Sequence, residues 1–211
     1  MKALGYGWIW LLLCAGGVSA KPPSRLVDID APKSANWRLV ATDSDRKRIR
    51  NWRTAFTTAL DQARAAGHDR DILREGVLLD PDAAMAGAEI PAGDYRCRVI
   101  KLGAQAAGMG DYTAYPAFSC KISDEGAVFS FTKLSGSQRP VGLIFDNDGY
   151  RKIFLGTMML GDERRALDYG RDADRDMAGA IEKVGVRRWR LILPYPRFES
   201  MMDVIELVPA R

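Results

Sequence analysis

From Gly93 onward the sequence consists of short runs of β-branched, aromatic and aliphatic residues, separated by turn residues and without a helical pattern between them. The runs cover residues 95–102, 118–123, 128–134, 141–145, 151–160, 177–184, 187–193 and 203–208. Asp148-Gly149, between two of the runs, is typical of a two-residue hairpin turn. A meander of about eight strands leaves no unpaired edge strand if its first and last strands pair and the sheet closes on itself. We therefore predict an antiparallel meander over residues 93–211, closed as a barrel or a sandwich. In Arg188-Trp189-Arg190-Leu191 the alternation of strand side chains would point both arginines toward solvent.

An amphipathic helical pattern precedes these strands. Five apolar residues recur at steps of three and four, the spacing of one helical face: Ile49, Trp52, Phe56, Leu60 and Ala63. Thr42 or Asp43 suits the N-cap of this helix and Gly67 suits its end, and Asp69–Glu75 predicts a short second helix. We assign residues 42–92 to the helical segment and the loop that follows it. Its apolar face is expected to pack on the strands, which makes the predicted fold class α+β.

The first twenty residues have the pattern of a secretory signal peptide. Lys2 supplies a positive charge, residues 7–15 form a short apolar core, and Val18-Ser19-Ala20 supplies the small residues of a cleavage site. We predict cleavage after this alanine, followed by an extended lead-in over residues 21–41. Because a membrane span takes about 20 apolar residues, we expect an exported protein with no membrane span after cleavage. An uncleaved anchor, or a lipoprotein lipidated at Cys14, is the alternative.

Removal of the signal would leave Cys97 and Cys120 as the only pair of cysteines. Two cysteines in an oxidising compartment normally form a disulfide. Both lie on the apolar side of their predicted strands, so a bridge between neighbouring strands preserves the register. We predict a Cys97–Cys120 disulfide. The alternative is a nucleophilic Cys97 activated by Arg96 and Arg98, but such a residue usually works with a histidine, and His68 is the only one in the chain.

The charges are distributed evenly along the chain. The formal net charge is +4, from 31 Lys and Arg residues and 27 Asp and Glu residues. Acids and bases alternate even in the most charged stretches, residues 43–48 and 171–176. Binding to nucleic acid requires a basic face rather than a small excess of basic residues. We therefore expect no nucleic-acid partner.

Short patterns that resemble those of catalytic and metal sites lack the residues that would complete them. Ser44 and Lys47 have the spacing of penicillin-recognising serine enzymes, without the companion motifs. His68 follows a glycine at a helix end, where a histidine interacts with the carbonyl groups. Asp172-x-Asp174-x-Asp176 begins like a calcium loop, but methionine and lysine replace the expected glycine and glutamate. The sequence predicts no catalytic residue, no metal and no cofactor.

Polar loops between the predicted strands supply the candidate binding residues. Loops at the mouth of a barrel commonly carry binding groups, and two arginines could offer paired donors to an anion. The alternative is an ordinary turn with surface arginines. The candidates for binding a ligand or partner are Ser137, Gln138, Arg139, Arg171, Asp172 and Arg175.

Several longer strings resemble a known family. They include residues 93–103, 133–142, 169–172 and 189–191, and Glu199-Ser200. These strings resemble a family of bacterial exported proteins, the domain of unknown function 4893, from about Asp43 to Pro209. The resemblance implies a periplasmic setting in a Gram-negative bacterium, and it implies no particular activity.

Three classes of function remain open. The absence of a catalytic set, together with the arginine-bearing loops, favours a non-catalytic binding or inhibitor-type module whose partner is a small ligand or an envelope protein. An analogy with small secreted barrels supports this class at the level of the fold only. A cell-envelope hydrolase is the alternative, with Asp172, Asp176 and Glu199 as candidates, and it requires two carboxyl groups that converge in a cleft. A structural role in the envelope is the third class.

Overall fold

The computed structural model describes residues 34–210. The predicted signal peptide and most of the predicted lead-in, residues 1–33, lie outside the described residues, as does Arg211. No helix within the described part of the chain is long and apolar enough to cross a bilayer.

The strands form a closed antiparallel barrel in which each strand pairs with its neighbours in sequence and the last pairs with the first. This confirms the predicted α+β fold with an eight-stranded meander, closed as a barrel. β2 begins at Tyr112 rather than at Phe118, because its first residues pair with the end of β1 although their sequence is poor in β-branched side chains. The strands are β1 (Gly93–Ala104), β2 (Tyr112–Asp124), β3 (Phe129–Lys133), β4 (Gln138–Phe145), β5 (Arg151–Leu160), β6 (Asp176–Gly185), β7 (Arg188–Pro194) and β8 (Ser200–Pro209).

Alternate side chains of the strands fill the barrel interior. Phe131 and Phe154 pack edge to face with their ring centroids 5.9 Å apart, a favourable geometry for aromatic pairs. Cys97 and Cys120 form a disulfide in the same interior cluster, with their Cα atoms 5.9 Å apart. The predicted pairing and the predicted inward direction of both cysteines are thus confirmed.

Short helices cover part of the outer face of the barrel. They are α1 (Trp37–Val40), α2 (Asp43–Arg50), α3 (Trp52–Ala65), α4 (Asp69–Glu75) and a 3₁₀ helix (Gly76–Leu79). Thr42 is the N-cap of α2, as predicted, and its hydroxyl accepts from the backbone N–H of Asp45 at 3.1 Å. The single long helix expected from the periodicity is divided at Asn51, which ends α2 and begins α3. Helix α1 lies where an extended segment was predicted, because the Asn36 side chain accepts from the Arg38 N–H and caps its start.

Helix α3 supplies the closest contact between the helical segment and the barrel. Its fully buried face, which includes Phe56 and Ala59, packs on outward-facing apolar residues of the strands such as Ile100 and Val204. At Gly103 the backbone has φ +68°, and a Cβ atom built there would lie 3.0 Å from the Ala59 Cα. A glycine is therefore required where α3 crosses β1. The predicted packing of the amphipathic helix on the strands is confirmed.

The expectation that Arg190 faces solvent is wrong. Its side chain points away from the barrel interior, as the alternation requires, but the 3₁₀ helix covers this part of the outer face and leaves the residue 0 % exposed. The guanidinium donates to the carboxylate of Glu182 (Nε to Oε2, 2.7 Å) and to the carbonyl oxygens of Leu78 (2.9 Å) and Asp80 (2.7 Å). A buried arginine thus ties the helical segment to the barrel wall.

The ends of the barrel differ. At one end the chain that leads into β1 crosses the opening. Ile90 packs in the interior cluster, the Tyr95 hydroxyl donates to the Pro91 carbonyl at 2.7 Å, and the Trp189 indole donates to the Glu89 carbonyl at 3.0 Å. At the other end, which we call the mouth, the connections β1–β2, β3–β4, β5–β6 and β7–β8 come together, at residues 105–111, 134–137, 161–175 and 195–199. The predicted binding residues all lie in, or next to, the connections of the mouth.

Candidate functional site

A cavity of about 120 Å³ lies at the mouth. One part of its wall is apolar and is formed by side chains that continue the interior packing: Val99, Phe118, Pro140, Met158 and Ile205. The other part is charged or polar, with Lys101, Lys133, Gln138, Glu199 and Asp203. The barrel interior therefore changes from apolar to polar over the last inward positions of the strands.

The polar part follows from the alternation of the strands. Lys101 lies two residues after Val99, so its side chain points inward like those of Cys97 and Val99. Asp203 lies directly opposite Lys101 in the β1–β8 ladder. Their side chains meet inside the barrel, where the Lys101 Nζ is 3.1 Å from the Asp203 Oδ2 and both residues are buried.

Lys101 contacts two carboxylates. Its Nζ is 3.3 Å from the Glu199 Oε2 as well as 3.1 Å from the Asp203 Oδ2, and the Ser200 hydroxyl donates to Asp203. Burial alone would lower the pKa of Lys101, but the attraction of Asp203 and Glu199 outweighs it and raises the pKa above its usual value. Burial raises the pKa of Asp203, although Lys101 and the Ser200 hydroxyl act in the opposite direction. The arrangement stabilises Lys101 as an ammonium.

Lys133 presents a positive charge that no acid among residues 34–210 neutralises. Its Nζ donates to the carbonyl oxygens of Ser135 (2.6 Å) and Gln138 (3.0 Å) and lies 3.6 Å from the centre of the Phe118 ring. In the described part of the chain it forms no ion pair, although it is buried. Burial lowers its pKa to about 8, and the nearby charges of Arg139 and Lys101 act in the same direction. A buried, uncompensated cation beside a cavity attracts an anion.

The β7–β8 connection places Glu199 over the cavity in an unusual backbone conformation. Glu199 has φ +73° and Tyr195 has φ +49°, a region that residues other than glycine rarely adopt. Gln105 holds this connection from the neighbouring loop, since its backbone N–H donates to the Glu199 carbonyl at 3.0 Å. Its side-chain amide donates to the carbonyl oxygens of Pro196 (2.5 Å) and Ser200. Gln105 therefore holds the β7–β8 connection at Pro196, Glu199 and Ser200.

The predicted residues of the β3–β4 hairpin have different environments. Ser137 and Gln138 line the cavity. Arg139 does not; its guanidinium donates to the carbonyl oxygens of Gly161 (2.8 Å) and Glu163 (2.7 Å) in the β5–β6 connection. Two of the three hairpin candidates thus lie at the site, and the third braces a neighbouring loop.

The predicted residues of the β5–β6 connection border the site or lie outside it. Arg175 pairs with Glu163 at 2.7 Å, and with Gln138 it borders a small depression beside the cavity. Asp172 accepts from the backbone N–H of Asp174 at 3.0 Å and lies 3.7 Å from the Arg175 Nε. Arg171 is exposed and does not line the cavity. The arginine pair suggested for an anion is therefore absent from the cavity wall, and a binding role for these residues stays a prediction.

The remaining acids of the calcium-like run have separate partners. Asp174 pairs with Arg197 at 2.9 Å, and the Asp176 carboxylate accepts from the Gly170 N–H at 2.9 Å. In residues 34–210, no group of three or more His, Cys, Asp and Glu side chains is placed to hold a metal ion. Of the carboxylates proposed for a hydrolase, Glu199 alone lines the cavity, and it does so with Asp203.

Sequence reasoning missed Lys101, Lys133 and Asp203. The signal was present in the alternation itself, since Lys101 continues the inward series of Cys97 and Val99, and Lys133 lies two residues after the interior Phe131. A charged side chain at an inward position near the end of a barrel strand points to the mouth of the barrel.

A larger groove, of about 460 Å³, lies outside the barrel between the helices and strands β5 and β6. Three of the arginines on its wall already have partners: Arg46 with Asp43, Arg151 with Glu182, and Arg38 with Asn147. The fourth, Arg50, is exposed to solvent, whereas Lys133 at the mouth is buried and has no acid partner within the described residues. The mouth is therefore the better candidate site.

Comparison with known protein families gives a match to a domain of unknown function, DUF4893, over residues 37–207. The match runs from α1 into β8, so it includes the covering helices and every residue of the mouth cavity. No curated protein and no solved structure is significantly similar to the chain. The chain belongs to the family of the domain of unknown function 4893.

Proposed function

We propose that this protein is an exported, non-catalytic binding module that holds a small amphipathic ligand in the mouth of its barrel. The observation that carries the proposal is the buried ammonium of Lys133, which borders the cavity and has no acid partner among residues 34–210. A charged group held in this way is costly unless something compensates it. A ligand with an electron-rich or anionic group would supply that compensation.

The size and the wall of the cavity restrict the ligand. An apolar cavity of about 150 Å³ holds one benzene molecule, and the mouth cavity measures about 120 Å³. The part of the ligand inside the barrel is therefore no larger than one ring or a short alkyl chain. Phe118 and Met158 offer apolar contact to that part, while Gln138 and the charged groups face its polar end.

Export to the periplasm is part of the proposal. The apolar core and the small residues that end at Ala20 support a cleavable signal. The Cys97–Cys120 disulfide also supports it, because such bonds persist mainly in oxidising compartments. A ligand of the envelope space would then reach the mouth without crossing the inner membrane.

Native mass spectrometry of the protein purified from the envelope tests the binding function. We expect a mass adduct on the wild type and its loss in Met158→Trp, in which the larger side chain fills the cavity. The matched control is Val186→Trp, at the exposed β6–β7 turn on the opposite end of the barrel, which should keep the adduct. The absence of any adduct on the wild type, or an unchanged adduct on a folded Met158→Trp protein, would contradict the proposal.

A carboxylate-dependent hydrolase is the second candidate, favoured by the convergence of Glu199 and Asp203 at Lys101. Both carboxylates contact the same ammonium, which restricts their freedom to exchange protons. Turnover of a panel of envelope-type ester and glycoside substrates, abolished by Glu199→Gln and unaffected by Asp172→Asn, would favour the hydrolase. A retained ligand without turnover would favour the binding module.

A further inference from the structure

The Glu199 side chain enters the mouth from the β7–β8 connection and is held there by both of its oxygens. Its Oε2 is 3.3 Å from the Lys101 Nζ, and its Oε1 accepts from the Gln138 Nε2 at 3.1 Å. The Lys101 Nζ also contacts Asp203, at 3.1 Å. Lys101 and Gln138 therefore form a pair of donors that holds one carboxylate group, and the chain itself supplies that carboxylate.

The two carboxylates on Lys101 differ in how firmly they are enclosed. The Asp203 side chain is 4 % exposed and faces its partner across the β1–β8 ladder, whereas the Glu199 side chain is 38 % exposed. Rotation of the Glu199 side chain into solvent would free Lys101 and Gln138 without a change in the barrel. Its backbone can stay in place, because Gln105 holds the backbone and not the carboxylate.

The charge at the mouth restricts what can replace Glu199. Exchange of its carboxylate for that of a ligand leaves the balance around Lys101 unchanged, and Lys133 adds an attraction that no carboxylate of the described chain uses. A cation would lie beside two ammonium groups. A neutral amide or alcohol would leave Lys101 with one acid instead of two. A monocarboxylate satisfies the same two donors as the Glu199 carboxylate and preserves the charge.

We infer that Glu199 occupies the position of a ligand carboxylate, and that the ligand of this site is a small organic monocarboxylate with an apolar body. The ligand displaces the Glu199 side chain, its carboxylate accepts from Lys101 and Gln138, and its apolar body lies against Phe118 and Met158. Glu199 therefore competes with the ligand. This inference rests on the proposed binding function and specifies the chemistry of its ligand.

Titration of the full mature protein with benzoate and with hexanoate, each compared with its neutral amide, tests the inference by ligand-observed NMR or calorimetry. We expect each acid to bind at least tenfold more tightly than its amide. Glu199→Gln should strengthen binding of the acids about fivefold or more, because the competing charge is gone. A merely structural role of Glu199 would not produce a gain in affinity. The control is Asp82→Asn, which removes an exposed carboxylate paired with Arg53 and should change neither affinity.

The possible failures are distinguishable. Equal binding of acids and amides would overturn the carboxylate inference and leave the binding function intact, as would an envelope-derived adduct without an acid group. Weaker binding of the acids by a folded Glu199→Gln protein would overturn the competition. If neither acid binds to the wild type or to Glu199→Gln, the inference is wrong, and the binding function then depends on the native mass spectrum alone.

Discussion

Replacement of Glu182 by glutamine should destabilise the fold far more than the loss of one surface ion pair. The side chains of Glu182 and Arg190 are both 0 % exposed, and the Glu182 Oε1 also accepts from the Arg151 Nε at 2.5 Å. Removing one partner of a buried pair costs about 3–5 kcal/mol, since it leaves the other charge uncompensated. The carbonyl oxygens of Leu78 and Asp80 stay bonded to the guanidinium, so we place the loss near the lower bound, at about 3 kcal/mol.

Urea unfolding monitored by tryptophan fluorescence, with the disulfide intact, measures this loss. The control is Asp82→Asn, whose ion pair with Arg53 has side chains 70 % and 53 % exposed, so that solvent screens it and its loss should leave the free energy of unfolding nearly unchanged. A loss under about 1 kcal/mol in Glu182→Gln with an unchanged m-value would refute the reasoning.

Two further predictions concern the barrel interior. Because burial lowers the pKa of Lys133 to about 8 from an ordinary 10.5, the folded protein releases a proton that the unfolded chain keeps. The free energy of unfolding should therefore rise between pH 8 and pH 10, by at most about 1.4 kcal/mol per pH unit, and a flat profile that Lys133→Met does not alter would contradict this. Reduction of the disulfide, whose cysteines are separated by 23 residues, should lower the free energy of unfolding by about 3 kcal/mol. Urea titrations with and without reductant measure this change, and an unchanged unfolding midpoint would contradict the prediction.

The strands were predictable because successive side chains of a strand point to opposite faces of the sheet, so apolar and polar residues alternate along the sequence. Most inward side chains of the barrel are apolar, so the two cysteines and their apolar neighbours indicated both the sheet and the disulfide. The same pattern could not show that helices cover the outer face at Arg190. An arginine at an outward position of a strand is expected to face solvent unless another element is known to pack over it. Asn51 likewise interrupts a helix whose apolar periodicity continues across it.

The location of the candidate site could be predicted from the sequence, but only some of the residues that line it could. Turn residues placed Ser137 and Gln138 in a loop at one end of the barrel, and the structure puts both at the cavity. The partners of Arg139 depend on how the β5–β6 connection folds back, which no local pattern specifies. Glu199 reaches Lys101 because β7 and β8 close the barrel against β1, a contact between residues that are distant in sequence.

The segment that crosses the far end of the barrel has a kinetic consequence. Within residues 34–210, Ile90 and the bonds of Tyr95 and Trp189 cover that end, so a molecule in the mouth cavity exchanges with solvent past the connections of the mouth. A molecule that arrives and one that departs pass the same four connections and cross the same barrier. A substitution that loosens Gln105 from the β7–β8 connection, and leaves the bound and empty states as they are, will speed arrival and departure by the same factor. It will change how long a molecule stays without changing how tightly it is held.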